Sequence, residues 1–254
     1  RWSRGLGDVY KRQPLVVKFL QKTHLNKVAH KIYYRYVHGF RPAIPSTLEA
    51  VERSLMAAKE SGVINQGDYY EFGIFKGYTF MHAQTICQRE GINSIKFFGF
   101  DSFAGLPDVE GVDETKHNEF YKGQYMCQKD KVVANLNESG NVDWDRTFLI
   151  EGYFDKSLND ETRANHPMDK IAVALVDCDL YSSTVDVLAF IKDMLVDGSI
   201  LMMDDWNTFD ADDSKGERLA FSEFLAENPQ FSAEELFEYP PWGQVFVIHM
   251  KDQA

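Results

Sequence analysis

The sequence predicts an α/β protein with a doubly wound, mostly parallel sheet. Two continuous apolar runs, Ile171–Val176 and Ile200–Met203, lack the alternation of a half-exposed strand, which indicates strands buried on both faces. Helical patterns separate the predicted strands, as expected where helices cover both faces of a parallel sheet. Near the C-terminus only Pro240–Gly243 separates two strand patterns, so we expect an antiparallel hairpin at one edge.

The first elements are marked by their boundary residues. A capping box at Ser46–Glu49 is expected to open the first helix, and Gly62 to end it. An aromatic-rich strand follows at Tyr69–Gly73, where β propensity is high. The next helix is predicted over Tyr78–Arg89, with Gly91 as its stop signal.

The middle of the chain adds two strands and a long loop. A second aromatic strand is predicted at Lys96–Asp101. Residues 102–126 are rich in glycine and polar residues, which predicts a loop rather than a linker between domains. A short helix at Lys131–Asn137 and a strand at Arg146–Glu151 come next.

The last third contains the two apolar runs and the hairpin. A helix over Ser182–Val196 is expected to connect the two runs, and another is predicted over Glu217–Glu227. The hairpin strands are expected at Glu234–Glu238 and Gln244–Met250. We expect one domain over residues 46–254, because no composition shift marks a boundary inside it.

The N-terminal residues differ in composition from the rest. Residues 1–13 match the peptide that a transposon-type sequencing adaptor encodes, so we expect them to be foreign to the native protein. Residues 14–45 contain six Lys and Arg and no acid, with apolar residues at helical spacing. We expect a docking or dimer-forming helix with a solvated basic face; the alternative is a patch for a membrane surface or an anionic substrate.

The charge and cysteine content exclude several classes of protein. The chain has a formal net charge of −12, and residues 14–254 carry −15 because the first 13 carry +3, which argues against nucleic acid as the main partner. No apolar run approaches a membrane span and no signal peptide is evident, so we expect a cytoplasmic protein. The three cysteines show no metal-finger spacing, so neither disulfides nor structural zinc are expected.

Each of the two apolar runs ends in a pair of acids. Asp177 and Asp179 follow the first, and Asp204 and Asp205 follow the second. The interval of 28 residues suits one helical crossover between adjacent parallel strands, whose carboxyl ends share an edge. Such carboxylates repel one another unless a cation neutralises them, and Mg²⁺ is the first candidate. In the alternative, Asp179 caps the helix at Ser182 and Asp205 is a solvated loop acid.

Two further features lie at the ends of the first two strands. Glu71, Gly73 and Gly77 form an acid-x-Gly-x-x-x-Gly turn, where the backbone can approach a ligand closely. Asp101 ends the next strand, the place where nucleotide-binding α/β folds hold ribose hydroxyls. Together they predict a nucleoside-containing cofactor; the alternatives are a tight packing turn and a turn-stabilising Asp.

Five strings in this order resemble the macrocin-type (TylF-like) O-methyltransferases over residues 46–250. They are Glu71-x-Gly73-x-x-x-Gly77, Phe100-Asp101-Ser102-Phe103-Ala104-Gly105-Leu106-Pro107, Glu151-Gly152-Tyr153-Phe154, Asp177-Cys178-Asp179-Leu180-Tyr181-Ser182-Ser183-Thr184, and Asp204-Asp205-Trp206 followed by Gly216-Glu217-Arg218. The resemblance implies a Rossmann-like class I methyltransferase fold with a seven-stranded sheet. It also implies S-adenosylmethionine and Mg²⁺ as cofactors, and a hydroxyl of a sugar, glycoside or other small diol-containing molecule as methyl acceptor.

The resemblance also assigns roles by position. The cofactor residues are Glu71, Gly73 and Gly77 at the methionine end, Asp101 with Ser102 at the ribose, and Glu151 with Gly152 at the adenine edge. The metal ligands are Asp177, Asp204 and Asp205.

The proton acceptor is expected among the same acids. Asp177 is the first candidate for the base and Asp179 the second, with His117 or His166 as alternatives. Leu106, Trp206 and the basic N-terminal segment are expected to form the substrate wall.

Two other classes of function remain at this point. The Asp177-Cys178-Asp179 string also resembles the DxD motif of a metal-dependent glycosyltransferase, although that leaves Glu71 and the Asp204–Asp205 pair unexplained. A noncatalytic member of the methyltransferase fold would retain the sheet and act as a binding subunit. Binding of S-adenosylmethionine, binding of a nucleotide sugar, or binding of neither distinguishes the three.

Overall fold

The computed structural model describes residues 45–114, 120–139 and 141–251, and within them one sheet contains all seven strands. The strands are β1 (Asp68–Phe72), β2 (Phe97–Asp101), β3 (Thr147–Glu151), β4 (Ile171–Val176), β5 (Leu195–Met203), β6 (Phe231–Tyr239) and β7 (Gly243–Met250). The α-helices are α1 (Pro45–Ser61), α2 (Tyr78–Arg89), α3 (Lys129–Ser139), α4 (Phe154–Ser157), α5 (Asp160–Asn165), α6 (Tyr181–Ile191) and α7 (Gly216–Glu227). The predicted basic helix within residues 14–45 and His117 lie outside the described residues.

The strand order is β3-β2-β1-β4-β5-β7-β6, and β7 runs antiparallel to both of its neighbours. The other pairings are parallel, so β1 to β5 end at the same edge. This confirms the predicted α/β fold with a C-terminal hairpin. Because β7 reverses direction, the turn between β6 and β7 also lies at the edge where β4 and β5 end.

Two apolar layers cover the sheet, and the continuous apolar strands account for both. All six residues of β4 are buried; Val173 and Leu175 face the layer that includes α1 and α2, whereas Ala174 and Val176 face the layer of α6 and α7. A strand covered on both faces requires an apolar side chain at every position, because successive side chains point to opposite faces. The fold therefore places helices on both faces, as the sequence predicts.

Aromatic side chains stack across the first three strands on the face of α6. The ring of Tyr70 lies 4.8 Å from that of Phe98, and the ring of Phe98 lies 5.1 Å from that of Phe148. Phe72 and Phe100 form a further stack at 4.7 Å. Each such pair contributes about 0.5–1.5 kcal/mol beyond its buried area. This row aligns β1, β2 and β3, the strands whose ends carry the predicted cofactor residues.

The boundary between α6 and β5 corrects one prediction. The helix expected to reach Val196 ends at Ile191, a 3₁₀ turn follows at Lys192–Met194, and β5 already begins at Leu195. The hydroxyl of Ser199 accepts a bond from the Val196 amide (2.9 Å) and donates one to the Ile171 carbonyl (2.7 Å). These bonds hold the start of β5 against β4, so tertiary contacts override the local helical pattern.

The start of α1 corrects a second prediction, the capping box. The helix begins at Pro45, and the hydroxyls of Ser46 and Thr47 lie in its first turn. The Ser46 hydroxyl donates to the Pro240 carbonyl, and that of Thr47 donates to Asp204 at 3.3 Å. The predicted capping box is therefore wrong, because these hydroxyls connect the helix to the carboxyl-end edge of the sheet.

Candidate active site

The turn after β1 runs directly against the end of β4. Gly73 has φ +94°, and a Cβ atom there would lie 1.8 Å from the carbonyl oxygen of Asp177. Only glycine permits that conformation together with so close an approach. Gly77 has φ +82° and precedes the first residue of α2. The backbone of this turn therefore lies directly against the β4 tip.

Asp101 joins the β1 turn to the loop after β2. Its Oδ2 atom accepts hydrogen bonds from the amides of Ile74 and Phe75, each at 2.8 Å, and its Oδ1 atom accepts one from Phe103 at 2.6 Å. Burial raises the pKa of Asp101, and the three amides oppose that effect. The neighbouring Ser102 hydroxyl donates to the Gly105 carbonyl at 2.8 Å. Asp101 thus has the turn-stabilising role, while its contact with a ribose stays a prediction.

Glu71 is a buried carboxyl in the middle of the sheet. It is 1% exposed and accepts a 2.7 Å hydrogen bond from the hydroxyl of Tyr69. Burial raises the pKa of Glu71 to about 8, and the nearby charges of Asp204 and Asp101 act in the same direction. Glu71 therefore retains a proton at neutral pH in the absence of a cation.

The end of β3 lies beside a surface cavity. Glu151 is exposed and lies 3.4 Å from the ammonium of Lys129, while the Gly152 amide donates to the carbonyl of Asp101 at 3.0 Å. A cavity of about 270 Å³ opens next to Glu151 and Gly152 and reaches Ser157 on α4. The two residues predicted at the adenine edge are therefore held close to β2.

His166 lines the far side of the same cavity. Its ring packs edge-on against Phe148 at 6.3 Å, beside β3. Three strand spacings separate β3 from β4, which is about 14 Å. His166 thus lies beside β3, and its part as the base at the β4 tip stays a prediction.

The acidic pairs meet as their spacing predicts. Residues Val176 and Met203 are partners in the β4–β5 register, and the Asp204 amide donates to the Val176 carbonyl at 2.9 Å. Burial raises the pKa of Asp177 well above the ordinary range, and the charges of Asp204 and Asp205 add to it. The carboxylates of β4 and β5 therefore form one electrostatic group, which we call the acidic cluster: Asp177, Asp179, Asp204 and Asp205.

Each member of the β5 pair has hydrogen-bond donors of its own. Oδ1 of Asp204 accepts from the hydroxyls of Tyr239 (2.8 Å) and Thr47 (3.3 Å). Asp205 is buried, and it accepts from the Asp179 amide at 3.0 Å and from the Thr208 hydroxyl at 3.0 Å. Asp205 therefore connects the two acidic loops, and the alternative of a solvated loop acid is wrong. Burial, with the charge of Asp204, raises the pKa of Asp205 to about 7.

Asp179 does not cap the following helix. It has φ +62°, and the residue at the N-cap of α6 is Leu180, whose side chain makes no capping bond. Asp113, from the loop after β2, supplies the cap instead: it accepts from the amides of Tyr181 (2.6 Å) and Ser182 (3.1 Å). The helix-cap alternative for Asp179 is wrong, and its carboxyl remains part of the acidic cluster.

A further buried acid, Glu217, was not among the predicted site residues. It is 1% exposed, and its Oε2 atom accepts the Asp205 amide at 3.1 Å, while its Oε1 atom has no partner among the described residues. Burial, with the charges of Asp205 and Asp204, raises the pKa of Glu217 well above its ordinary value. In the sequence, the one indication that Glu217 belongs near the site is its place in the Gly216-Glu217-Arg218 string.

The two residues expected in the substrate wall are packing residues. Leu106 is buried against Phe120 and Leu180. The ring of Trp206 lies 4.8 Å from that of Phe246, and the Arg218 guanidinium lies 4.8 Å from the Trp206 ring. Both side chains pack against neighbours, and a part for either of them in the substrate wall stays a prediction.

The chemistry of the acidic cluster suits a hard divalent cation. Carboxylate oxygens are the ligands that Mg²⁺ prefers, and a cation would offset the mutual repulsion that raises these pKa values. Among residues 45–114, 120–139 and 141–251, no three His, Cys, Asp or Glu side chains are already arranged as a metal site. The ligand set Asp177, Asp204 and Asp205 therefore stays a prediction.

The seven-stranded sheet and its loop-lined edge define the class I methyltransferase fold. The solved structure of the O-methyltransferase NovP has this fold, with a TM-score of 0.65 and 21% identity over 80% of this chain and 79% of that chain. The profile of the macrocin O-methyltransferase (TylF) family matches residues 46–228, so the chain belongs to that family.

The curated relatives of the chain are named O-methyltransferases. The 8-demethyl-8-(2,3-dimethoxy-α-L-rhamnosyl)-tetracenomycin-C 4'-O-methyltransferase of Streptomyces olivaceus is 27% identical over 144 residues, which is 55% of this chain and 53% of the relative. The mycinamicin III 3''-O-methyltransferase of Micromonospora griseorubida is 26% identical over 165 residues, 63% of this chain and 62% of the relative. The chain thus matches between 53% and 62% of the length of these relatives. No helix in the described ranges is long and apolar enough to cross a membrane.

Proposed function

We propose that the protein transfers a methyl group from S-adenosylmethionine to a hydroxyl of a sugar or glycoside, with Mg²⁺ as a second cofactor. The observation that carries this proposal is the acidic cluster at the ends of β4 and β5, next to the Gly73 turn. A methyl donor beside that turn would be within reach of an acceptor held by the cluster. Family membership supports methyl transfer over the glycosyltransferase alternative.

The acceptor class follows from the relatives and from the charge of the chain. The tetracenomycin relative is named for a hydroxyl of a rhamnosyl compound. A strongly acidic protein disfavours anionic acceptors, whereas neutral hydroxyls donate readily to carboxylates. We therefore assign a small, uncharged molecule with neighbouring hydroxyls.

The residues on the donor side bind and orient the cofactor. Glu71, Gly73 and Gly77 would hold the methionine end, where the glycines admit a ligand close to the backbone. Asp101 and Ser102 would contact the ribose, and Glu151 with Gly152 the adenine. S-adenosylmethionine supplies an electrophilic methyl group when it is bound.

The residues on the acceptor side hold the hydroxyl and take its proton. Asp177, Asp204 and Asp205 would hold Mg²⁺, which lowers the pKa of an acceptor hydroxyl and fixes its direction when it is bound. The carboxylate of Asp177 accepts the hydroxyl proton, with Asp179 as the second candidate. Holding the oxygen in line with the methyl group supplies much of the rate acceleration.

A turnover screen tests the proposal. Wild-type protein is incubated with methyl-labelled S-adenosylmethionine and with sugars, glycosides or catechol, in Mg²⁺ or in EDTA. We expect label in a glycoside only with Mg²⁺, and a loss of at least about a hundredfold in Asp177→Asn. Asp193→Asn, an exposed acid on the 3₁₀ turn before β5, is the matched control and should leave turnover unchanged.

Three results would contradict parts of the proposal. Full activity of Asp177→Asn would show that Asp177 is not required for turnover. Equal turnover in EDTA and in Mg²⁺ would show that the metal is not required. Calorimetry that detects no binding of S-adenosylmethionine favours the noncatalytic alternative.

A further inference from the structure

Trp242 is an exposed aromatic residue at the edge of the sheet where the acidic cluster lies. It belongs to the turn of residues 240–242, between Tyr239 at the end of β6 and Gly243 at the start of β7. The β5–β7 register pairs Met203 with Gln244, so the turn lies level with the residues that follow β5. The indole is thus carried by a turn that lies beside the residues following β5, which include Asp204.

Hydrogen bonds fix this turn to the acidic loop. The Asn207 amide donates to the Trp242 carbonyl at 2.9 Å, three residues beyond Asp204. The hydroxyl of Tyr239, three residues before Trp242, donates to Asp204 at 2.8 Å. A Cβ atom at Gly243 would lie 2.1 Å from the Tyr239 ring, so the ring packs tightly over the turn. The backbone of Trp242 is therefore held in place on both sides.

The side chain of Trp242, in contrast, remains exposed. It is 43% exposed, and among the described residues no aromatic ring or cation packs against it. Trp206, the tryptophan of the Asp204-Asp205-Trp206 string, is half-buried and packs against Phe221, Phe246 and Arg218. Within the described ranges, Trp242 is the more exposed of the two tryptophans at this edge.

We infer that Trp242 binds the acceptor by stacking its indole on the apolar face of the sugar ring. This inference rests on the proposed function and deepens it by naming an acceptor-binding residue. A pyranose ring presents C–H groups on one face and hydroxyls around its rim, so it can contact an aromatic ring while its hydroxyls reach carboxylates. Small-molecule sites combine such apolar contacts with a few polar groups that fix orientation. The acidic loop supplies the polar groups and Trp242 the apolar contact.

The test compares glycoside affinity among three variants. Calorimetry measures binding of methyl α-L-rhamnopyranoside to full-length protein saturated with S-adenosylhomocysteine and Mg²⁺. We expect Trp242→Ala to raise the dissociation constant about fivefold to tenfold, and Trp242→Phe to stay within about twofold of wild type. Trp144→Ala is the matched control: Trp144 is 41% exposed but precedes β3, at the opposite edge, so its replacement should have no effect.

Affinity for S-adenosylhomocysteine shows that each variant is folded and should be unchanged. The inference is overturned if the wild type does not bind the glycoside, or if Trp242→Ala binds it as tightly as the wild type does. It is also overturned if Trp144→Ala lowers the affinity for the glycoside as much as Trp242→Ala does. If Trp242→Ala no longer binds catechol but still binds the glycoside, Trp242 stacks on a flat aromatic ring and not on a sugar. That result would also overturn the inference. The proposed function fails separately, when wild-type protein binds the glycoside through Trp242 but transfers no methyl group to it.

Discussion

The hydroxyl of Tyr239 donates a 2.8 Å hydrogen bond to Oδ1 of Asp204. This bond joins the last residue of β6 to the first residue after β5, two strands that are not direct neighbours in the sheet. Thr47 adds a second, longer bond to the same oxygen, at 3.3 Å. The orientation of Asp204 therefore depends on hydroxyl groups from two other parts of the chain, α1 and the end of β6.

Replacing Tyr239 by Phe should weaken the acidic cluster without disturbing the fold. The Phe ring fills the same space, but Asp204 loses its shorter bond, and such supporting bonds typically contribute tenfold or more to metal affinity. We expect about a tenfold rise in the Mg²⁺ concentration needed for half-maximal turnover. Thr47→Val, which removes the longer bond, should have a smaller effect. Equal Mg²⁺ dependence in wild type and Tyr239→Phe would show that the bond does not orient Asp204.

Asp177→Asn should make the metal-free protein more stable while it abolishes turnover. Burial and the charges of Asp204 and Asp205 raise the pKa of Asp177, which means that its ionised form destabilises the folded state. A neutral amide of the same size removes that repulsion. In urea denaturation at pH 8 with EDTA, we expect a gain of about 1–2 kcal/mol in the free energy of unfolding. An unchanged or lower stability, with Asp193→Asn equal to wild type, contradicts this.

Glu71→Gln should remove a pH dependence of stability. Between its ordinary pKa of 4.5 and the folded value of about 8, Glu71 is protonated in the folded state and ionised in the unfolded chain. Folding then binds a proton, so this contribution to stability is complete below pH 4.5 and falls as pH rises towards 8.

The measurement is urea denaturation of wild type and Glu71→Gln at pH 5, 7 and 8.5. The free energy of unfolding of Glu71→Gln, relative to that of wild type, should rise by up to about 1.4 kcal/mol for each pH unit across this window. A difference that stays constant from pH 5 to pH 8.5 would indicate that Glu71 is ionised throughout.

Asp113→Ala should destabilise α6 from a distance. Asp113 accepts hydrogen bonds from both Tyr181 and Ser182 at the first turn of this helix, including the Ser182 hydroxyl at 2.9 Å. Loss of a capping residue costs about 0.5–2 kcal/mol, and we expect the upper half of that range in thermal or urea unfolding. Asp113→Asn keeps one acceptor oxygen and should lie between wild type and the Ala variant. If both variants unfold like wild type, the cap contributes nothing.

The sheet and its acidic edge could be predicted because their signals are local. The unbroken apolar residues of Ile171–Val176 indicate a strand buried on both faces, and 28 residues between Asp177 and Asp205 leave room for one crossover helix. Parallel pairing then brings the two strand ends together without further information. The described register, Val176 with Met203, agrees with this.

The features that could not be predicted depend on contacts between distant residues. Leu195 and Val196 continue the apolar pattern of α6, but the pairing of Leu195 with Ile171 and the hydrogen bond from Ser199 to the Ile171 carbonyl place them in β5. Asp113 caps a helix 68 residues further along the chain, and no local pattern indicates that partner.

The exposure of side chains near the site also depends on contacts between distant residues, so the sequence alone does not predict it. Trp206 stands next to Asp205 in sequence, yet its half-buried ring packs against Phe246, while Trp242 reaches the edge through the reversal of β7.

The order of the strands separates the two halves of the site. Glu71 and Asp101 are on β1 and β2, on one side of β4, whereas the turn of residues 240–242 lies beyond β5 on the other. A hairpin turn can change in length or sequence without shifting the strands that lie across the sheet from it. Under the proposed function, exchanging this single turn between family members is expected to change the acceptor preference while the donor half keeps its geometry.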